Sequence, residues 1–271
     1  MKFAYMVATP EIKGKEVTAL RGDYDYLFNL LSTFGYDGVE FMTKDPFEAG
    51  LENLAEKAGS YGLEVPVICT GEIYGEDKLS FGDPHEEVRQ EAVRRVGRLM
   101  EIASSLGAHI NVGRLRGRFL DGIPKDMTLR WIEECLDQCA SVSPDVYLLI
   151  EPICRKYENF ILTTLDGVKF VKDLSIDNVR LMLDYIHMVS EGENLAHSID
   201  ISSGLVDHIH VCDSDRLPLG YGSFDLSPFY EMLKNVSYNG FISVESFPTD
   251  NPENDVKSSM ESLHNMQKRK E

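Results

Sequence analysis

The chain has 271 residues and a formal net charge of −18, and its hydrophobic content of 43% excludes a disordered protein. Because 45 acidic residues outnumber 27 basic ones, non-specific binding to nucleic-acid phosphates is also excluded. No apolar run approaches the roughly 20 residues of a membrane span, and no apolar leader precedes the first strand pattern. We therefore expect a cytoplasmic protein with neither a membrane nor a nucleic acid as partner.

Short apolar runs alternate with longer amphipathic stretches along the whole chain. Runs typical of β-strands lie at 2–8, 37–43, 64–70, 108–114, 146–151, 178–184, 206–212 and 240–246. Most are almost continuously hydrophobic, as in parallel strands that are covered on both faces. The clearest helix between them follows Pro84, carries acidic residues in its first turn and ends at Gly107.

Eight strand–helix units in succession predict a (β/α)8 TIM barrel that occupies residues 1–271 as a single domain. A doubly wound parallel sheet is the alternative. That fold more often has a glycine-rich phosphate turn after its first strand, and no GxGxxG sequence follows residues 2–8. The five cysteines are scattered and form no CxxC pair, so we expect buried thiols and no disulfide framework.

Four neighbouring strands of the predicted barrel each end in a residue that can bind a metal ion: Glu151, Asp184, His210 and Glu245. Active sites of such barrels lie where the strands end, so these side chains should converge. Three crowded carboxylates repel one another unless a cation compensates their charge. Three oxygen ligands with one imidazole suit a divalent ion, with Mn²⁺ expected first and Mg²⁺ or Co²⁺ possible.

The order of these motifs along the chain resembles that of the D-tagatose 3-epimerase group of xylose-isomerase-like barrels. The residues that carry the resemblance are Glu151 followed by Pro152, Asp184 with His187, His210 with Arg216, and Glu245. The pattern extends from GYDGVEF through LGAHINVGRLRGR to the last strand, so it covers nearly the whole chain.

The resemblance implies a sugar epimerase of carbohydrate metabolism that interconverts ketoses or keto-sugar acids at C3. It also implies that the four strand-end residues hold one metal ion, and that Glu151 and Glu245 act as the two catalytic bases on a metal-bound cis-enediolate. The same resemblance implies that His187, Arg216 and Glu158 bind the carbonyl end of the sugar. The segment around Glu158, EPICRKYENF, departs from the family pattern by an apparent insertion at Lys156, which weakens that one assignment.

Three further features are left open by the sequence. Arg114, Arg116 and Arg118 follow the fourth strand, and they either pair with nearby acidic residues or provide one arginine, Arg116, that binds a substrate anion. His208 shares a strand face with His210, so we expect it to support the ligand by hydrogen bonding. Glu40, at the end of the second strand, either lines the barrel mouth or caps the next turn.

Several other functions fit the same barrel. An aldose–ketose or hydroxypyruvate-type isomerase would use the same metal site, and a sugar-phosphate 3-epimerase would add a phosphate. An abasic-site endonuclease needs more histidines and a basic face than this chain has, and a sugar-binding barrel without turnover would not need all four ligands. Besides its ketose or keto-sugar acid, the only partner that the resemblance implies is a second copy of the chain, in a dimer or tetramer.

Overall fold

The computed structural model describes residues 1–268, in which eight parallel strands close into a barrel in chain order. Each strand lies within its predicted run, so the (β/α)8 prediction is confirmed. Two strands, β3 and β5, are only three residues long. The strands β1 to β8 are Lys2–Ala8, Gly38–Met42, Val67–Cys69, His109–Val112, Leu148–Ile150, Val179–Asp184, Val206–Val211 and Phe241–Val244.

Helices surround the barrel and connect successive strands. The helix predicted after Pro84 is α4, Glu86–Leu106. It is capped by Gly107, whose φ of 66° is the left-handed conformation that ends many helices. None of the helices within residues 1–268 is long and apolar enough to cross a bilayer. Helices α1 to α10 are Tyr24–Phe34, Leu51–Ser60, Gly71–Gly75, Glu86–Leu106, Lys125–Ala140, Thr164–Asp173, Tyr185–Ser190, Leu195–Ser202, Ser227–Asn235 and Pro252–Lys268.

The main hydrophobic core is the layer between the strands and the helices, where Phe28, Phe41 and Leu99 are fully buried. The barrel interior is different, because it holds small apolar clusters beside polar groups. Val67, Leu149 and Met182 form one such cluster. Next to Met182 in register lies His208, whose Nε2 is 2.9 Å from the Ser243 hydroxyl. A polar group in the interior needs a hydrogen-bond partner, and here other interior side chains supply it.

Candidate metal and substrate site

The structure brings the four strand-end residues together at the carboxyl ends of β5 to β8. Glu151 and Glu245 each follow their strand by one residue, Asp184 is the last residue of β6, and His210 lies near the end of β7. All four are buried, and each offers a ligand atom within 4.8 Å of those of the others. Parallel strands in a closed barrel place their ends on one rim, which is why residues so distant in sequence meet.

Arg216 bridges two of these carboxylates. Its Nη2 donates to Asp184 Oδ2 at 2.7 Å, and its Nη1 donates to Glu245 Oε2 at 2.7 Å. The residue lies on a short 3-10 turn after β7. In this turn φ is 58° at Asp215 and 56° at Arg216. Non-glycine residues rarely adopt this left-handed conformation, and such strain is typical of functional loops.

Asp213 organises the loop that carries Arg216. Its carboxylate accepts hydrogen bonds from the backbone N–H groups of Ser214 at 2.8 Å, Gly220 at 3.0 Å and Phe224 at 2.9 Å. One buried acid therefore ties the start of the loop to its glycine-rich end. This arrangement holds the guanidinium of Arg216 beside Glu151, Asp184, His210 and Glu245, which we call the metal-ligand cluster.

The two glutamates of the cluster have different electrostatic surroundings. Burial raises the pKa of Glu151 to about 7, although His210 favours its ionised form. Burial also opposes ionisation of Glu245, but Arg216 and His210 outweigh it and hold its pKa well below the usual range. Two carboxylates whose pKa values are driven apart in one cavity are a common arrangement of an acid and a base.

Each of the same two glutamates also has a neutral hydrogen-bond donor. Asn111 Nδ2 donates to Glu151 Oε2 at 2.9 Å, and the Thr18 hydroxyl donates to Glu245 Oε1 at 2.6 Å. Asn111 projects from β4, and Thr18 lies in the loop after β1. These donors orient the carboxylates from outside the β5–β8 half of the ring.

Glu40 links His208 and His210 by buried hydrogen bonds beneath the metal-ligand cluster. Glu40 Oε1 is 2.9 Å from His210 Nε2, and Glu40 Oε2 is 2.8 Å from His208 Nε2. Both carboxylate oxygens of Glu40 contact these interior rings, and the residue is absent from the cavity wall, so it neither lines the mouth nor caps a turn, and both expectations for it were wrong. The predicted supporting role of His208 agrees with this contact, because its ring shares the carboxylate that holds His210.

A cavity of about 290 Å³ opens beside the cluster. Tyr157 and Phe247 stand at its rim with 42% and 40% of their surface exposed. A cavity of this size with polar groups on its walls suits a small sugar. It is lined by Glu16, Thr18, Met42, Cys69, Gly71, Glu72, Asn111, Gly113, Arg114, Glu151, Ile153, Tyr157, His187, Arg216, Glu245 and Phe247.

His187 lines this cavity next to Arg216. Burial lowers its pKa to about 4, so the imidazole is neutral near pH 7. Its Nε2 is 3.1 Å from Arg216 Nη2, whereas its Nδ1 has no hydrogen-bond partner among residues 1–268. Because Nε2 of the neutral ring accepts from Arg216, the ring proton lies on Nδ1.

Two predicted substrate-binding residues do not reach the cavity. Arg116 is fully buried and donates to the carbonyl oxygens of Gly113, Glu151, Phe160 and Ile161 at 2.7–3.2 Å. The expectation that it binds a substrate anion was therefore wrong, because its guanidinium is used to hold backbone carbonyls. Glu158 is also buried and absent from the cavity wall. Burial raises its pKa, against the opposing charge of Arg116.

The donor set at the rim fits a divalent metal ion. Three carboxylates and one imidazole provide oxygen and nitrogen ligands, and their convergence within 4.8 Å matches the size of one ion site. The three carboxylates concentrate negative charge at this point. Arg216 compensates part of that charge, and a bound cation would compensate it further.

Sequence reasoning missed several residues that line the site. Asn111 could have been found, because it is a polar residue within the buried part of the strand HINV, on the same face as His109. Thr18 and Tyr157 lie on irregular connecting segments, and Glu72 lies on α3, which is only five residues long, so residue periodicity does not indicate which way these side chains point. Only the course of those loops in space brings them to the rim.

Comparisons with known proteins identify the family of this barrel. A family model described as a xylose isomerase-like TIM barrel matches residues 28–266. A 3-dehydro-D-guloside 4-epimerase of Escherichia coli K12 is 25% identical over 80% of this chain and 85% of its own length. A D-psicose 3-epimerase of Enterocloster bolteae is 30% identical over 83% of this chain and 77% of its own.

One solved structure illustrates the shared fold. The D-psicose 3-epimerase of Clostridium cellulolyticum H10, determined with D-tagatose, superimposes with a TM-score of 0.78 at 20% identity and covers 98% of both chains. At that identity the likeness is one of fold alone. With the family model and the 30% identical relative, however, the relationship extends to sequence. The chain belongs to the xylose isomerase-like TIM barrel family.

Proposed function

We propose that this chain is a metal-dependent sugar epimerase that inverts C3 of a ketose or keto-sugar acid. Most of its similar curated relatives are sugar epimerases, and such enzymes belong to the isomerase class. The observation that carries the proposal is that Glu151 and Glu245 both face one cavity, from the ends of β5 and β8, beside a metal-ligand cluster.

Inversion at a carbon next to a ketone needs two groups that handle protons. One glutamate removes the proton from the carbon, and the electron pair of the broken C–H bond moves into the enediolate. The other glutamate then donates a proton to the opposite face, and a new C–H bond forms there. A single base would return the proton to the face that it left, so two carboxylates on one cavity support epimerisation.

Glu151, Asp184, His210 and Glu245 are the residues that would hold the cation. When bound, a divalent cation supplies Lewis-acid stabilisation for the negative charge that develops on the substrate oxygens. Mn²⁺ suits these oxygen-rich ligands, and Mg²⁺ or Co²⁺ would also be accepted. His210 would bind through Nδ1, which lies 3.1 Å from Glu245 Oε2, because its Nε2 is in contact with Glu40.

Neutral His187 and Arg216 are placed to orient the sugar. Both line the cavity beside the metal-ligand cluster, and both carry polar atoms that can bind a carbonyl or hydroxyl oxygen. Tyr157 and Phe247 at the rim offer apolar faces to the C–H groups of the sugar. Fixing the reacting carbon between two glutamates is the positioning that lowers the barrier.

The experiment is turnover of a panel of ketoses and keto-uronates by Mn²⁺-loaded protein in D₂O, followed by proton NMR. We expect a C3 epimer that carries deuterium at C3. Glu151→Gln and Glu245→Gln should each lower kcat by about 100-fold or more, since one proton-transfer group is lost. An aldose product, with hydrogen moved between C1 and C2, would instead establish an aldose–ketose isomerase on the same site.

A further inference from the structure

We propose that Glu76 is a positioning residue that holds the loop between β1 and α1 at the cavity and, through Thr18 of that loop, sets the position of the Glu245 carboxylate. The inference rests on the epimerase function proposed above and adds a residue to it. Glu76 directly follows α3 and is absent from the cavity wall. Its effect on the reaction must therefore pass through the residues that it holds.

The loop between β1 and α1, residues 9–23, forms one side of the cavity. Glu16 and Thr18 line the cavity from this loop, and the Thr18 hydroxyl donates to Glu245 Oε1 at 2.6 Å. The other carboxylate oxygen, Oε2, lies 3.1 Å from His210 Nδ1. A hydrogen bond on one oxygen orients a carboxylate whose other oxygen binds a metal ion. Thr18 can therefore orient Glu245 without competing with the cation.

Glu76 holds the middle of this loop by its backbone. The N–H groups of Lys13 and Gly14 donate to Glu76 Oε1 at 2.8 Å and 2.5 Å. A Cβ at Gly14 would lie 3.1 Å from the same oxygen, so a larger residue would crowd the carboxylate. Arg21 in turn donates to the carbonyl oxygen of Gly14. Two charged side chains thus hold the backbone at Gly14, four residues before Thr18.

Lys44 fixes the carboxylate of Glu76. Its Nζ donates to Glu76 Oε2 at 2.7 Å, and the two side chains are only 18% and 16% exposed. The same Nζ lies 3.5 Å from Asp77 Oδ1, and Asp77 is paired with Arg95 of α4. Burial opposes ionisation of Glu76, but Lys44 and the two backbone N–H groups outweigh it and lower its pKa. The carboxylate is therefore charged near pH 7 and is a strong acceptor for the loop.

Thr18 lies between two attachments of the loop. The first is Gly14, held by Glu76, and the second is Leu20, which forms a β-bridge to β1. Between them, Lys15 and Glu16 are exposed. Without the first attachment this segment gains alternative conformations, because exposed backbone with few contacts opens most readily. The Thr18 hydroxyl would then contact Glu245 for a smaller fraction of the time.

The test is a double-mutant cycle on the Mn²⁺-loaded protein, with kcat and KM of the preferred ketose measured by NMR. Glu76→Ala and Thr18→Val should each lower kcat about 10-fold and change KM less than about threefold. Since Glu76 acts through Thr18, the double variant should also lose about 10-fold, whereas independent sites would lose about 100-fold. Glu76→Gln keeps an oxygen acceptor for the loop and should stay within about threefold of the unmodified kcat.

A second measurement needs neither metal nor turnover. In the metal-free protein, amide hydrogen exchange of residues 13–18, followed by NMR, should be at least about 10-fold faster in Glu76→Ala. The matched control is Asp25→Ala, which removes another carboxylate paired with a lysine, Lys57, from the surface of α1. It should leave both the exchange and kcat unchanged.

Unchanged exchange in Glu76→Ala would overturn the positioning role, and so would a double variant whose loss is the product of the two single losses. The two proposals fail separately. Epimer formation at full kcat in Glu76→Ala would reject the positioning role alone. Faster loop exchange in Glu76→Ala, with no epimer from the unmodified protein, would reject the epimerase function and still show that Glu76 holds the loop.

Discussion

Glu40 and His210 are joined by a buried contact that decides which imidazole nitrogen faces the metal-ligand cluster. Glu40 Oε1 lies 2.9 Å from His210 Nε2, whereas His210 Nδ1 lies 3.1 Å from Glu245 Oε2. Both residues are at most 1% exposed. A carboxylate behind a ligating histidine fixes its ring orientation and its tautomer, so Glu40 belongs to the site although it does not line the cavity.

Removal of this carboxylate should weaken metal binding. We expect Glu40→Ala to reduce Mn²⁺ affinity about 10–100-fold, measured by titration calorimetry. The matched control is Glu11→Ala, which removes another buried glutamate that hydrogen-bonds to Thr9 and Thr43 away from the cluster. Its Mn²⁺ affinity should stay within about twofold of the unmodified protein. Equal losses in both variants would mean that Glu40 acts only through general stability.

Gly113 has no side chain and therefore leaves room for the carboxylate of Glu151, one of the two proposed catalytic groups. A Cβ at this position would lie 2.7 Å from Glu151 Oε2, which is closer than real contacts allow. Gly113→Ala should therefore displace the carboxylate and lower kcat about 100-fold, since small misplacements at a reacting centre are costly. The measurement is steady-state kinetics with the preferred ketose.

The control for this substitution is Gly97→Ala in the interior of α4, where the added Cβ meets only an ordinary contact at 3.8 Å. Alanine favours the helix, so this variant should gain up to about 1 kcal/mol in free energy of unfolding with unchanged kcat. If Gly113→Ala were also to keep full kcat, the carboxylate of Glu151 would not need its observed position.

Arg116 should act on stability and not on substrate affinity. Its guanidinium serves four buried carbonyl oxygens, so Arg116→Ala leaves them without donors. We expect a loss of at least about 3 kcal/mol in free energy of unfolding, measured by urea denaturation. Arg118→Ala, at an exposed neighbouring position, should change it by less than about 0.5 kcal/mol. A fully stable Arg116→Ala variant with a raised KM would return this arginine to the substrate site.

Metal removal should affect both stability and activity. The convergence of three carboxylates favours a cation in the folded state, and the unfolded chain does not hold these ligands together. Mn²⁺ at 100 times its dissociation constant should raise the free energy of unfolding by about 2.7 kcal/mol. Thermal denaturation with and without EDTA measures this. An unchanged midpoint in both conditions would contradict metal binding at this cluster.

The barrel and its rim could be predicted from the sequence because they depend on local, repeating patterns. Eight apolar runs separated by amphipathic stretches determine the strand order, and the strand-end positions of Glu151, Asp184 and Glu245 follow from it. A residue at the carboxyl end of a strand lies on the rim of the barrel whatever conformation the following loop adopts. For the same reason the sequence indicated that His208 and His210 share one face.

The contacts of the remaining side chains were decided only by tertiary structure. The RLRGR segment offers three similar arginines, yet Arg114 lines the cavity, Arg116 is buried against backbone carbonyls and Arg118 is exposed. A short irregular turn has no fixed period, so residue spacing does not tell which side chain turns inward. Glu40 likewise finds its partners on β7, 168 and 170 residues away, because only barrel closure brings those strands face to face across the interior.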